Sequence, residues 1–328
     1  MASSSKRSLY FDNAKLILIF LVVFGHVISP LKGNDDILFT LYTVIFLFHM
    51  PAFILISGYF AKGYRKKGYL LKSVKKILLP YLIFQAIYSF FYFINGDEKS
   101  LTFDFLQPHW TLWFLLSLFC WNVLIYAFAK LKWIGLIVAV AIGIAIGYVD
   151  QVGNYLSLSR TFVFFPYFLL GFLIEQKHIN WIKNMKFSAV IGVLIILSTF
   201  LLFGLSFPKD AVPWLLGSSS YADMGNAEWF DGLFRMLQYL LTLIVIFGFF
   251  AVVPATGSKL TIIGQRTLYI YLLHGFIIKI IETAVSDETL ESISQNYFLL
   301  FIFSFVVCLT LGSYLIKKYT KPLIELRL

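Results

Sequence analysis

Three of the five histidines, His26, His49 and His274, fall inside long apolar runs. An ionisable side chain at that depth is costly in lipid and marks a functional site by default. Imidazole exchanges a proton near neutral pH, which suits it to general base work. His26 closes a stretch that opens with Phe11-Asp12-Asn13-Ala14-Lys15 and ends in Gly25-His26. The eleven-residue step from Lys15 to His26 is about three helical turns, or roughly 16 Å, so both side chains share one face. Asp12 lies within about 40° of that face by the same geometry. One helix stripe would therefore carry a carboxylate and an ammonium near its start and an imidazole far along it. Asp12 reads equally well as a helix-start carboxylate, and Lys15 as a cation reaching for lipid headgroups. His26 reads as a base or as a buried ring bonded to a backbone carbonyl.

Four further groups stand out. His49 precedes Pro51, which removes a helix hydrogen bond and opens room for a ligand or a water; Ser57-Gly58 follows, where glycine permits a close approach. Between Lys62 and Lys76 lie seven cations: Lys62, Arg65, Lys66, Lys67, Lys72, Lys75 and Lys76. Such a run suits a phosphate-rich ligand or anionic lipid, and from position 70 it alternates as an interfacial helix does. Trp110 and Trp113 open an apolar run, and Tyr271 stands three residues before His274. The polar, aromatic stretch 207–230 holds Trp214, Tyr221, Asn226 and Trp229; ring faces with hydroxyls and carboxylates suit a sugar, though an ordinary aqueous loop with interfacial tryptophans has the same composition. Arg235 and Lys279 read as cations snorkelling from span ends.

These residues need elements to hold them, and composition says which. The chain has 328 residues, 59% of them hydrophobic and 13% charged, with a mean hydropathy of +0.82. About 25% charge is ordinary for a soluble domain, so a soluble enzyme, a disordered chain and a disulfide scaffold are excluded. Cys120 and Cys308 lie in apolar runs and read as packing residues. The spacing predicts an all-α polytopic membrane bundle of ten transmembrane helices, near 14–32, 37–61, 77–94, 110–129, 131–149, 161–175, 187–207, 231–253, 266–284 and 296–316. The first carries no small-residue cleavage site and reads as a retained span. Twenty of the 27 basic residues, Lys6, Arg7 and Arg327 among them, fall on the tails and the even-numbered connections. Lys32, Lys99, Arg160 and Lys209 are on the odd ones. The positive-inside rule then puts both termini in the cytoplasm, and topology accounts for the net charge of +10 without a nucleic-acid partner. Residues 1–328 read as a single membrane-embedded domain. No P-loop, GxGxxG, HExxH, GxSxG or zinc set is present in the sequence, and no metal is expected.

Taken in order, Asp12-Asn13-Ala14-Lys15 with Gly25-His26, Phe48-His49-Met50-Pro51 with Ser57-Gly58-Tyr59, the basic run ending in Pro80-Tyr81, Trp110 to Phe114 and Tyr271-Leu272-Leu273-His274 resemble the acyltransferase 3 family, over nearly the whole chain. Within it they look most like fucose 4-O-acetylase-like membrane acetyltransferases. The resemblance implies an integral enzyme of the cell membrane, in a bacterial plasma membrane, that takes an acetyl or other short acyl group from cytoplasmic acyl-CoA. It implies transfer to a hydroxyl of a carbohydrate or glycan at or beyond the outer face. The family's basic residue and essential histidine map to Lys15 and His26. Many members have arginine where this chain has Lys15, and lysine makes no bidentate contact. On this reading His26 is the general base or a transient acyl carrier, with His49 or Asp12 orienting it. Lys15, Ser57 and the cations Arg65, Lys66, Lys67, Lys72, Lys75 and Lys76 would hold acetyl-CoA. Trp110, Trp113, Trp214, Tyr221, Trp229 and His274 would meet the acceptor. A transporter or flippase for a lipid-linked sugar is the alternative that ten spans and buried histidines also suit.

Overall fold

The computed structural model describes residues 8–33, 35–96, 99–150, 152–153, 155–225 and 227–326; Lys6, Arg7, Asn226 and Arg327 lie outside them. Among the described residues every regular element is helical. In chain order the α-helices are α1 (Leu9–Ile28), α2 (Asp36–Phe60), α3 (Tyr69–Ser73), α4 (Leu79–Asn95), α5 (Trp113–Phe128), α6 (Lys132–Ala145), α7 (Leu158–Leu173), α8 (Gln176–Asn184), α9 (Ser188–Ser206), α10 (Val212–Leu216), α11 (Asp231–Val252), α12 (Thr267–Ala284), α13 (Asp287–Ser294), α14 (Tyr297–Leu311) and α15 (Tyr314–Glu325).

Eight helical stretches among the described residues are long and apolar enough to cross a bilayer, or nine if α14 and α15, bent by 63° at their junction, count as one. The chain is thus a multi-pass membrane protein. Ten spans were expected, and the difference lies at Trp110–Tyr148, a continuous helical stretch of 39 residues. At 1.5 Å per residue that length is nearly 60 Å, about twice the hydrocarbon thickness. Side-chain contacts show how it fits. Along α5, Ser117 meets Thr161 and the Trp121 ring lies 5.7 Å from Phe168. Along α6, Gly135 meets Leu169 and Gly143 meets the Phe162 carbonyl. So α5 ascends α7 while α6 descends it, and the chain doubles back at Lys132, whose φ of +51° makes the turn.

Two other boundaries differ from expectation. The first span begins at Leu9, so Asp12 sits within the first turn and Ser8, not Asp12, occupies the N-cap. The third span begins at Tyr69 rather than near 77 and runs to Asn95 through one wide π-type turn, Val74–Leu78. The basic residues expected on a separate interfacial helix therefore lie on the opening turns of the span itself.

Contacts sort the chain into two compact units, each discontinuous in sequence: residues 1–53, 177–206 and 243–318, and residues 54–176, 207–242 and 319–328. In the first unit α1 is the core element. It buries Tyr10, Phe11, Ala14, Leu18, Ile19, Val22 and Val23 against the 3-10 helix Lys259–Gln265, α12 and α14. In the second unit α7 takes that place between α5 and α6. Elsewhere α9 exposes Val190, Val193, Leu194, Leu197, Leu201 and Leu205, an apolar face that water would not tolerate and lipid does.

Candidate active site

The start of α1 is fastened by polar groups. Lys15 Nζ lies 2.7 Å from Asp12 Oδ1, and the Asp12 side chain is only 3% exposed. Gln265 Nε2 donates to Asp12 Oδ2 at 3.2 Å. Asn13 Nδ2 donates to the carbonyls of Pro254 and Thr256, both at 2.8 Å, while its Oδ1 accepts from Thr261 Oγ1 at 2.7 Å. A β-carbon at Gly264 would collide with the Asp12 carbonyl, so this glycine lets the 3-10 helix lie directly on α1. Thr261 and Gln265 were missed in the sequence, and Asn13 was named there only as part of the opening motif, because partners some 250 positions apart leave no periodic signal.

Three turns further on, the imidazoles gather. The rings of His26 on α1 and His274 on α12 are 5.4 Å apart at 35°. His26 also meets the Phe46 ring edge-on at 5.6 Å, and Phe46 meets His49 at 4.9 Å. His49 and His274 are both buried. His49 Nδ1 lies 2.6 Å from the Ile45 carbonyl, and His274 Nδ1 lies 3.0 and 2.8 Å from the carbonyls of Ile270 and Tyr271. A carbonyl only accepts, so each Nδ1 donates a proton to its own helix. Two rings held in this way share the neighbourhood of His26. Asp12 is fourteen residues from His26, about 21 Å along the helix, and its carboxylate is engaged by Lys15. Of the expected orienting groups it is the remote one, and His274, which the sequence placed with the acceptor, faces His26 instead. An apolar cavity of about 280 Å³ begins at Val27 and is bounded by Pro30, Ile278, Glu282, Leu299 and Phe303. Beside it Lys279 pairs with Glu282 at 2.6 Å. At the connection after α1, burial pulls the Lys32 ammonium below its ordinary value, with Glu282 opposing.

The remaining candidates belong to the second unit. Lys62 donates to the Ile174 carbonyl and covers the Tyr59 ring at 4.4 Å. Arg65, Lys66, Lys67, Lys72, Lys75 and Lys76 are exposed. Ser57 is half-buried, and Gly58 is packed on the Phe168 backbone of α7, so its close approach is made to a helix. Trp113 lies 5.5 Å from Phe164 and under the Arg160 guanidinium, and Trp110 opens the turn before it with a φ of +34°. Trp214 and Tyr221 stack at 5.1 Å, whereas the Trp229 side chain is 86% exposed. Arg235 does not snorkel. It is 1% exposed.

Two curated relatives are nodulation proteins NolL. The one from Sinorhizobium fredii is 33% identical over 191 residues, 53% of this chain and 50% of the relative. The one from Mesorhizobium japonicum is 29% identical over 217 residues, 62% and 57% respectively. The chain spans about half the length of these relatives. No solved structure matches it. The model of one family, described as an acyltransferase domain, matches residues 8–317, and with its helical membrane scaffold and histidine cluster the chain belongs to that family, acyltransferase 3.

Proposed function

We propose that the chain is a single membrane-embedded O-acyltransferase domain that moves an acetyl or other short acyl group from cytoplasmic acyl-CoA to a hydroxyl of a cell-surface or exported carbohydrate. The observation that carries the reading is the His26–His274 pair beside Phe46 and His49 in a chain of this family. A hydroxyl is a weak nucleophile and needs a base of near-neutral pKa. His26 takes the hydroxyl proton as the oxygen–carbon bond forms and the thioester carbon–sulfur bond breaks; the thiolate leaves and is protonated. The same ring could instead hold the acyl group before the acceptor takes it. His274 and His49 keep the His26 ring in place. The exposed cations from Arg65 to Lys76 form a surface fit for the phosphates of a CoA at the inner membrane face. Trp110, Trp113 and Trp214 offer ring faces to the acceptor, with the buried Tyr221 ring stacked behind Trp214.

The orientation follows the same reading. With α5 and α6 taken as two spans and α14–α15 as one, the chain has ten, and the distribution of basic residues puts both termini in the cytoplasm of a bacterial cell.

The test uses the full chain in lipid nanodiscs with acetyl-CoA and extracted surface glycan. Wild type releases CoA thiol in step with a 42 Da gain on the glycan, the acetyl increment. His26→Ala lowers the rate by at least about 10²-fold with an unchanged elution profile. Full activity in that variant, or thiol release by neither protein with any glycan, overturns the proposal.

A further inference from the structure

The second unit buries a cation that its own carboxylates do not neutralise. Arg235 is 1% exposed at the start of α11. Its Nη1 donates to the Trp214 carbonyl at 2.8 Å and to Gln238 Oε1 at 2.5 Å. Its Nε is buried and makes no hydrogen bond among the described residues. No carboxylate there forms an ion pair with it. Asp231, one turn earlier on the same helix, turns its Oδ2 to the Glu228 amide at 2.8 Å instead. The guanidinium lies 5.0 Å from the Trp214 ring and 6.0 Å from the Tyr221 ring. Gln238 Nε2 holds the same Trp214 carbonyl at 2.9 Å, and Tyr221 is pinned through its hydroxyl to the Ile144 carbonyl at 3.0 Å.

A buried charge is costly unless paired, and a buried donor without an acceptor adds to the cost. Ring faces and carbonyls lower that cost without cancelling a full positive charge. The guanidinium fork matches a carboxylate or a phosphate in geometry, and it lies beside the Trp214 ring, which the buried Tyr221 ring backs. Trp214 itself is half-buried, the part-exposed ring of the pair.

We infer that Arg235, with Trp214 and Tyr221, is a subsite for the anionic group of an acidic carbohydrate, so that the acceptor carries a carboxylate or a phosphate on its sugar. This rests on the acceptor reading above, and deepens it. Binding at the subsite needs no acyl donor, so its failure and a failure of acyl transfer are read separately.

The experiment measures the thermal midpoint and tryptophan fluorescence of the full chain in nanodiscs with glucuronate, glucose 1-phosphate and glucose at matched concentration and ionic strength. At least tenfold tighter binding of glucuronate than glucose supports the subsite with a carboxylate ligand. The same preference for glucose 1-phosphate assigns a phosphate. Arg235→Lys keeps part of the preference and Arg235→Gln removes it. Equal binding of glucose and both anions by wild type overturns the inference, whether or not the variants fold, and so does an undiminished preference in a folded Arg235→Gln protein.

Discussion

At the scale of single residues, two rings of the histidine cluster are anchored by their own helices. His49 and His274 each spend the Nδ1 proton on a carbonyl of their own helix, which fixes ring orientation before any ligand arrives. His26 is the ring that touches both His274 and Phe46. In the nanodisc assay His274→Ala should lower the maximal rate by about 10²-fold, the cost of letting a reacting group shift by an ångström, while leaving the acyl-donor KM within about twofold. A KM change of the same size would reassign His274 to binding. The depth of His26, His49 and His274 was legible in the sequence. That His274 meets His26 was not, because helical periodicity orders residues along one helix and says nothing about which ring of a helix 250 positions later comes to face them. The same gap hid Arg235. A cation at a span end reads as a snorkelling residue until packing shows it covered.

Helices are placed here by backbone contact as much as by side-chain burial. Within the second unit, Gly58 of α2 lies against the Phe168 carbonyl of α7, and Gly171 of α7 lies against the Leu55 carbonyl of α2. Small residues that admit this approach are the usual means of holding membrane helices, since lipid gives no hydrophobic gain for pairing them. Gly171→Ala should force the two helices apart and cost about 1–3 kcal/mol, read as a lower thermal midpoint in detergent. An unchanged midpoint would show that the contact is slack. At the other crossing, α1 on the 3-10 helix, the Asn13 amide carries the attachment through three hydrogen bonds. Asn13→Ala leaves the Thr256 and Pro254 carbonyls and Thr261 hydroxyl without it, again about 1–3 kcal/mol. Asn13→Asp is the informative companion, because it keeps the acceptor for Thr261 and loses both donated bonds; a midpoint between wild type and Asn13→Ala is expected. The sequence showed the glycine at position 58 and its use for a close approach, and left open whether a ligand or a helix would approach. Nothing local decides that, since both need only the missing β-carbon.

On the scale of the whole molecule, the count of spans decides which residues can reach which side of the membrane. Apolar run lengths located the membrane helices well, because the bilayer sets a minimum length that no packing detail alters. At Trp110–Tyr148 they predicted two crossings, 110–129 and 131–149, and the helical stretch of 39 residues divides at Lys132 into α5 and α6, which run in opposite directions along α7. The turn at Lys132 takes its shape from a positive φ at a residue other than glycine, which composition does not announce. The doubling of α5 and α6 on α7 makes a definite statement about sidedness. In a background with Cys120 and Cys308 replaced, Asp104→Cys and Asp150→Cys should both react with a membrane-impermeant maleimide added to intact cells. Lys130→Cys, at the turn, should react only after the inner face is opened. A single long crossing would instead place Asp104 and Asp150 on opposite sides. Labelling on opposite sides would reduce the count by one. The positive-inside pattern would then no longer hold for the chain after residue 150, and the segment carrying Trp214, Tyr221 and Arg235 would move to the cytoplasmic face, away from any acceptor at the cell surface.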